Sequence, residues 1–66
     1  MNFRDKMAAR KLARQAYFKA LDAGKTPKQA GDAATAAVKA KFPSIDPAML
    51  AMILEIIKML IALFSK

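Results

Sequence analysis

The chain has 66 residues, of which 56% are hydrophobic, and its 12 Lys and Arg against 5 Asp and Glu give a net charge of +7. This length allows one small domain whose apolar core is only marginally sufficient on its own. The sequence contains no His, Cys or Trp, which excludes disulfide bonds, thiolate chemistry, Cys/His zinc sites and an imidazole base.

The first predicted helix covers about residues 3–23, which are good helix formers without Pro or Gly. Gly24 supplies the left-handed conformation that commonly ends a helix. One side of this helix carries mostly small residues at helical spacing, and small side chains let a second helix approach closely. These residues are Ala9, Leu12, Ala13, Ala16, Ala20 and Ala23.

The other side of the first helix mixes apolar and basic residues: Phe3, Met7, Phe18 and Leu21 share an arc with Arg10, Lys11 and Arg14. Such a face can lie in the headgroup layer of an anionic membrane, or contact the bases and phosphates of a nucleic acid. It can also be ordinary packing, in which long basic side chains flank a stripe that contacts the third helix. The candidate residues for an anionic partner are Arg4, Arg10, Lys11, Arg14, Phe3 and Phe18.

The second predicted helix covers about residues 27–41. Thr26 is its expected N-cap, Pro27 its first helical residue and Gln29 the second member of a capping box. Pro43 disfavours helical geometry at the residue before it and so ends the helix. Small apolar residues again share one side, which predicts a tight hairpin of the first two helices within residues 1–42. These residues are Ala30, Ala33, Ala34, Ala37 and Val38.

The third predicted helix begins after the N-cap Asp46 and covers about residues 47–64. About 18 residues at ~1.5 Å each span roughly 27 Å, close to the thickness of the hydrocarbon core of a bilayer. The sequence therefore predicts a membrane anchor or the core of an assembly in segment 43–66. The candidate residues are Met49, Leu50, Ile53, Leu54, Ile56, Ile57, Leu60, Ile61 and Phe64.

A narrow polar strip interrupts the apolar surface of the third helix. Its charged members Glu55 and Lys58 are three residues apart, a spacing at which they can pair. In a soluble assembly the strip is either the water-facing edge or the contact with the Ala-rich sides of the hairpin. If copies of the helix span a membrane together, it is the lumen of a pore. Its residues are Ala48, Ala51, Glu55, Lys58, Ala62 and Ser65.

The hairpin is too thin to cover the third helix. Two Ala-rich helices cover about half of it, and the remaining stripe is larger than soluble monomers normally expose. We therefore expect oligomerisation or a membrane to complete this single small domain. Charge is equally uneven, since residues 1–41 hold ten basic and three acidic side chains while residues 42–66 hold two of each. A basic segment of this kind predicts an anionic partner.

Neither catalytic nor metal-binding constellations can be assembled from these residues. Gly24-Lys25-Thr26 matches the end of a P-loop, but Lys19 stands where the first Gly is required. Five scattered acids and two Ser provide no nucleophile–base pair and no metal cluster. We expect no enzymatic activity, no cofactor, no metal and no small-molecule substrate.

The hypothesis that combines these features is a non-enzymatic structural or membrane-interaction protein. The positive-inside rule would hold its basic N-terminal part on the cytoplasmic or inner side of the membrane. The alternative is a soluble, cytoplasmic helical oligomer that binds nucleic acid through the first helix. In composition the chain resembles small viral or bacterial membrane-associated proteins, including holins, lysis factors and minor components of lipid-containing virions. That resemblance involves no specific motif, and it implies a structural or pore-forming role.

Overall fold

The structure is a computed structural model that describes residues 2–65. Within this range the chain forms three α-helices and no strand: α1 (Phe3–Asp22), α2 (Pro27–Lys41) and α3 (Pro47–Phe64). The all-α prediction is confirmed. α1 ends one residue earlier than expected, because Ala23 is its C-cap and Gly24 follows with a φ of +88°.

Each helix begins at a side chain that accepts a hydrogen bond from the first turn. Asn2, Thr26 and Asp46 are the three N-caps, with acceptor distances of 2.8, 3.1 and 3.2 Å. The predicted capping box is present, since the side chain of Gln29 also accepts from the backbone N–H of Thr26 at 3.1 Å. These bonds satisfy N–H groups that have no partner within the helix, so local sequence fixes where each helix begins.

The core combines small residues of the hairpin with large residues of α3. α1 and α2 share the most extensive interface, as the small sides predicted for them require. Ala23 and Ala33, which were expected on those sides, are exposed at the rim of the hairpin. The buried hydrophobic residues are Ala9, Ala13, Tyr17, Ala30, Ala34, Val38, Met49, Ile53 and Ile57.

Gly31 is a position at which α3 approaches α2 closely. A Cβ placed there would lie 2.7 Å from Cδ1 of Ile61, which is closer than real Cβ atoms approach their neighbours, and 3.0 Å from Cγ2 of Ile57, which is a tight contact. The first half of α2 therefore contacts the second half of α3. These two helices run antiparallel, and α3 runs in the same direction as α1.

Tyr17 is fully buried, and its hydroxyl has no hydrogen-bond partner among the described residues. Burial raises its pKa above the ordinary value of 10.0, because the charged phenolate is poorly solvated there. Tyr17 was not among the residues predicted for the inner side of α1. Its ring supplies the bulk that the neighbouring alanines lack, and its hydroxyl is enclosed as a consequence.

Replacing Tyr17 by Phe should stabilise the fold by about 1 kcal/mol, because it removes a buried hydroxyl that lacks a partner. The advantage should grow above pH 10, where unfolded wild-type chains lose the phenolic proton while folded chains keep it. Wild-type stability should therefore fall with rising pH relative to Tyr17→Phe. Urea unfolding of both proteins from pH 8 to pH 11 measures this difference, and a constant difference would contradict it.

Candidate functional site

Seven large apolar side chains of the described residues are exposed, and none of them belongs to α2. Four lie in α3 and three in α1. Phe3, Leu63 and Met59 are the most open, at 76%, 65% and 64% exposure. The full set is Phe3, Met7, Phe18, Met52, Met59, Leu63 and Phe64.

Aromatic contacts show which flank of α1 faces α3. The ring of Phe64 lies 6.1 Å from that of Tyr17 and 5.6 Å from that of Phe18, measured between centroids. At about 100° per residue, further side chains of α1 project within the arc bounded by Tyr17 and Phe18. They are Phe3, Met7, Arg10, Arg14 and Leu21, which therefore border the groove between α1 and α3.

The exposed apolar residues of α3 border the same groove. Ile57 and Ile61 contact Gly31 of α2, whereas Phe64 contacts α1. Going round α3 from Ile61 and past Phe64, one reaches a group of exposed apolar side chains. They are Met52, Met59 and Leu63. With half-buried Ile56 they follow spacings of four, three and four residues, so they form one straight stripe.

We call this surface the α1/α3 face. On α1 it consists of Phe3, Met7, Arg10, Arg14 and Phe18, and on α3 of Met52, Ile56, Met59, Leu63 and Phe64.

The cations of the α1/α3 face have no acidic partner. Across residues 2–65 the single ion pair joins Glu55 and Lys58, at 3.6 Å on the polar strip. Arg14 is exposed, whereas Arg10 is half-buried and its enclosed Nε has no hydrogen-bond acceptor. The face therefore presents uncompensated positive charge directly beside exposed apolar side chains.

Four of the six residues predicted to contact an anionic partner belong to the α1/α3 face, and the other two lie at its margin on α1. Phe3, Phe18, Arg10 and Arg14 lie on the α1/α3 face. Lys11 instead lines a groove between α1 and α2, together with Leu12 and Phe42. Arg4 is exposed outside the arc bounded by Tyr17 and Phe18.

The apolar residues predicted as a membrane or assembly core are largely used within the bundle. Met49, Ile53 and Ile57 are buried against the hairpin, while Phe64 is about half exposed. The rest of that set is half-buried: Leu50, Leu54, Ile56, Leu60 and Ile61.

An exposed apolar stripe on α3 was expected, but the residues that form it were not among the candidates, because the sequence alone does not show which part of the apolar arc the hairpin covers. Met52, Met59 and Leu63 lie between the centre of that arc and the polar strip. They are seven and four residues apart, a helical spacing beside the polar strip from which the sequence could have predicted one exposed apolar stripe. Met7 was likewise noticed on its arc but left out of the candidate residues.

The polar strip faces away from the hairpin. All six of its residues are exposed, and the side chains of Glu55 and Lys58 are 70% and 73% accessible. α3 therefore has three faces: a buried one, an apolar open one that borders α1, and a polar open one.

α3 is long and apolar enough to cross a membrane, by length and composition alone. Only three of its 18 residues, Met49, Ile53 and Ile57, are buried. No group of acidic residues able to hold a metal ion occurs between residues 2 and 65.

Comparison with protein-family models, curated proteins and solved structures found no match for this chain. The physical properties of the α1/α3 face are therefore what indicates a function. This face combines apolar side chains open to solvent with arginines that lack counter-ions.

Proposed function

We propose that this protein is a non-enzymatic membrane-interaction protein that binds an anionic membrane through the α1/α3 face. The observation that carries the proposal is the concentration of all seven exposed large apolar side chains on the two helices that border one groove. Surfaces of soluble monomers rarely gather apolar residues in this way, and larger patches mark interaction sites.

The chemistry of the face suits the boundary between headgroups and acyl chains. Phe3, Met59 and Leu63 each remove apolar area from water when they enter that boundary, and full burial of such a side chain is worth about 1.5–3 kcal/mol. Arg10 and Arg14 add attraction to anionic headgroups, at about 1 kcal/mol for each basic residue near the surface. Both contributions act on the same side of the bundle.

The closed bundle favours binding along the membrane surface. In this arrangement the α1/α3 face enters the headgroup layer, and the Glu55–Lys58 pair stays in contact with water. The positive charge of the hairpin favours the cytoplasmic or inner leaflet, whose surface potential is negative. For α3 to span the bilayer, or to associate with other copies as an anchor or pore, Met49, Ile53 and Ile57 must first leave the hairpin.

Nucleic-acid binding fits this surface less well. Base stacking requires aromatic rings with a free face. Phe18 is held in edge contacts with Tyr17 and Phe64 at 5.5 and 5.6 Å, which leaves Phe3 as the free ring of α1. The exposed large apolar residues of α3 have no group that pairs with a phosphate or hydrogen-bonds to a base. They are Met52, Met59, Leu63 and Phe64.

Flotation with lipid vesicles tests the proposal. The protein should float with vesicles of phosphatidylcholine and phosphatidylglycerol, remain bound when they are washed in high salt, and be released by detergent. Apolar insertion resists salt, whereas attraction to phosphates alone is screened. Failure to float, or complete release by salt, would contradict the proposal. Salt-sensitive binding to an oligonucleotide would favour the alternative.

A further inference from the structure

The α1/α3 face has the features of a binding site for a single lipid. We propose that Arg10 and Arg14 together bind the phosphate of one anionic phospholipid, whose acyl chains lie along Met59 and Leu63. This inference rests on the proposed function, because it assigns the ligand of the same face.

The two arginines form a pair of like charges. They are four residues apart on α1, so their Cβ atoms are neighbours about 5–6 Å apart on one side of the helix. Neither guanidinium is within 4.0 Å of a carboxylate in the described chain, where Glu55–Lys58 is the single ion pair. An anion bound between Arg10 and Arg14 removes their mutual repulsion, and a phosphate has enough acceptor oxygens for both.

The position of Arg10 is set by packing. Its side chain is half-buried and its Nε–H is enclosed without an acceptor, so the terminal nitrogens are the part that can reach a ligand. A partly enclosed guanidinium has less side-chain conformational entropy to lose on binding than a fully exposed one. Its planar fork matches the spacing of phosphate oxygens, which a lysine ammonium does not.

The apolar side of the groove lies at the same height as the arginines. The contact between Phe18 and Phe64 aligns α1 with α3, and both helices rise in the same direction by about 1.5 Å per residue. Arg10, eight residues before Phe18, is therefore level with Ile56, eight residues before Phe64. By the same count Arg14 is level with Leu60, which lies between Met59 and Leu63.

A ligand that occupies the whole groove needs both an anionic head and an apolar tail. Inorganic phosphate and nucleic acid supply the first but leave Met59 and Leu63 exposed. A phospholipid supplies both, since its phosphate contacts the arginines while its chains cover the stripe on α3.

Solution NMR of the full chain, with dihexanoylphosphatidylglycerol below its micelle concentration, tests the assignment. The sequence contains three arginines, so single Arg→Lys variants identify each Nε–H signal. The lipid should shift the signals of Arg10 and Arg14 and leave that of Arg4 in place. R10K/R14K keeps the charge but loses the fork, and its affinity for the lipid should fall about tenfold. R4K makes the same chemical change outside the face and should bind like wild type.

The outcomes separate this inference from the proposed function. If wild type floats with vesicles but R10K/R14K binds the lipid as tightly as R4K, the arginines act only as diffuse charge and the inference is wrong. Equal binding of inorganic phosphate, or tighter binding of a single-stranded oligonucleotide at the same signals, would also overturn it. If wild type does not float at all, the proposed function fails first.

Discussion

Substituting Met59 and Leu63 together by Gln should lower the affinity for anionic vesicles about 100-fold. Both side chains are nearly two-thirds exposed in the bundle, so the double variant should fold as wild type does. The loss comes from two apolar groups that no longer enter the acyl boundary, at about 1.5 kcal/mol or more each. Vesicle titration followed by fluorescence of an attached dye or by sedimentation measures the change.

The matched control is Ala51→Gln with Ala62→Gln. These residues are exposed on the same helix but belong to the polar strip, and the substitutions leave the net charge unchanged. The control should bind within about threefold of wild type, since each alanine has little apolar area to lose. Equal losses in the two double variants would show that the α1/α3 face is not the surface that enters the membrane.

Substituting Ile53 by Ala should cost about 2–5 kcal/mol of unfolding free energy, because it opens a cavity beneath the middle of α3. Ile53 is fully buried, and a chain of this size has few other large side chains in its core. Domains of about this length have only a few kcal/mol of stability in total. The melting temperature in the absence of lipid should therefore fall by at least about 10 °C.

Met52→Ala provides the comparison at the neighbouring position. Its side chain is half exposed at the α1/α3 face, so its removal should change stability by less than about 0.5 kcal/mol. Circular dichroism during thermal and urea unfolding measures both variants. If Met52→Ala destabilised the bundle as much as Ile53→Ala, α3 would pack through a different side from the one described.

The elements of this fold could be predicted because each is encoded locally. Thr26 with Gln29, Asp46 with Pro47, and Gly24 are signals that act over three or four residues, and helices begin or end at each of them. The small sides of α1 and α2 also followed from helical periodicity. Contacts between helices depend on which part of a wide apolar arc meets which neighbour, and one sequence does not specify that.

Three features show this limit. Gly31 was not singled out in the sequence, because the close approach at this position depends on Ile57 and Ile61 from another helix. Tyr17 is amphipathic, so periodicity alone could not decide that it points inward. On α3 the apolar arc was predicted correctly as a whole, but its division into a covered part and an open part depends on where the hairpin lies.

The predicted face on α1 was divided for the same reason. Lys11 and Arg10 are adjacent in sequence, yet Lys11 lines a groove with Leu12 and Phe42, whereas Arg10 is half-buried with its Nε enclosed. On an isolated α1 the two cations would belong to one patch. The helices packed on either side of α1 give them different surroundings. The membrane-binding proposal accordingly depends on fewer basic residues than the sequence suggested.

The order of the helices along the chain has a consequence for folding. α1 and α2 are joined by a four-residue turn and share the largest interface, so the hairpin consists of contacts between residues close in sequence. Helical proteins rich in local contacts of this kind fold in microseconds to milliseconds, and individual helices form faster still. Since α3 follows the hairpin in the chain, α1 and α2 leave the ribosome first and can begin to pair before the most apolar segment emerges. A hairpin that pairs early would shorten the time during which Ile53 and Ile57 are open to aggregation.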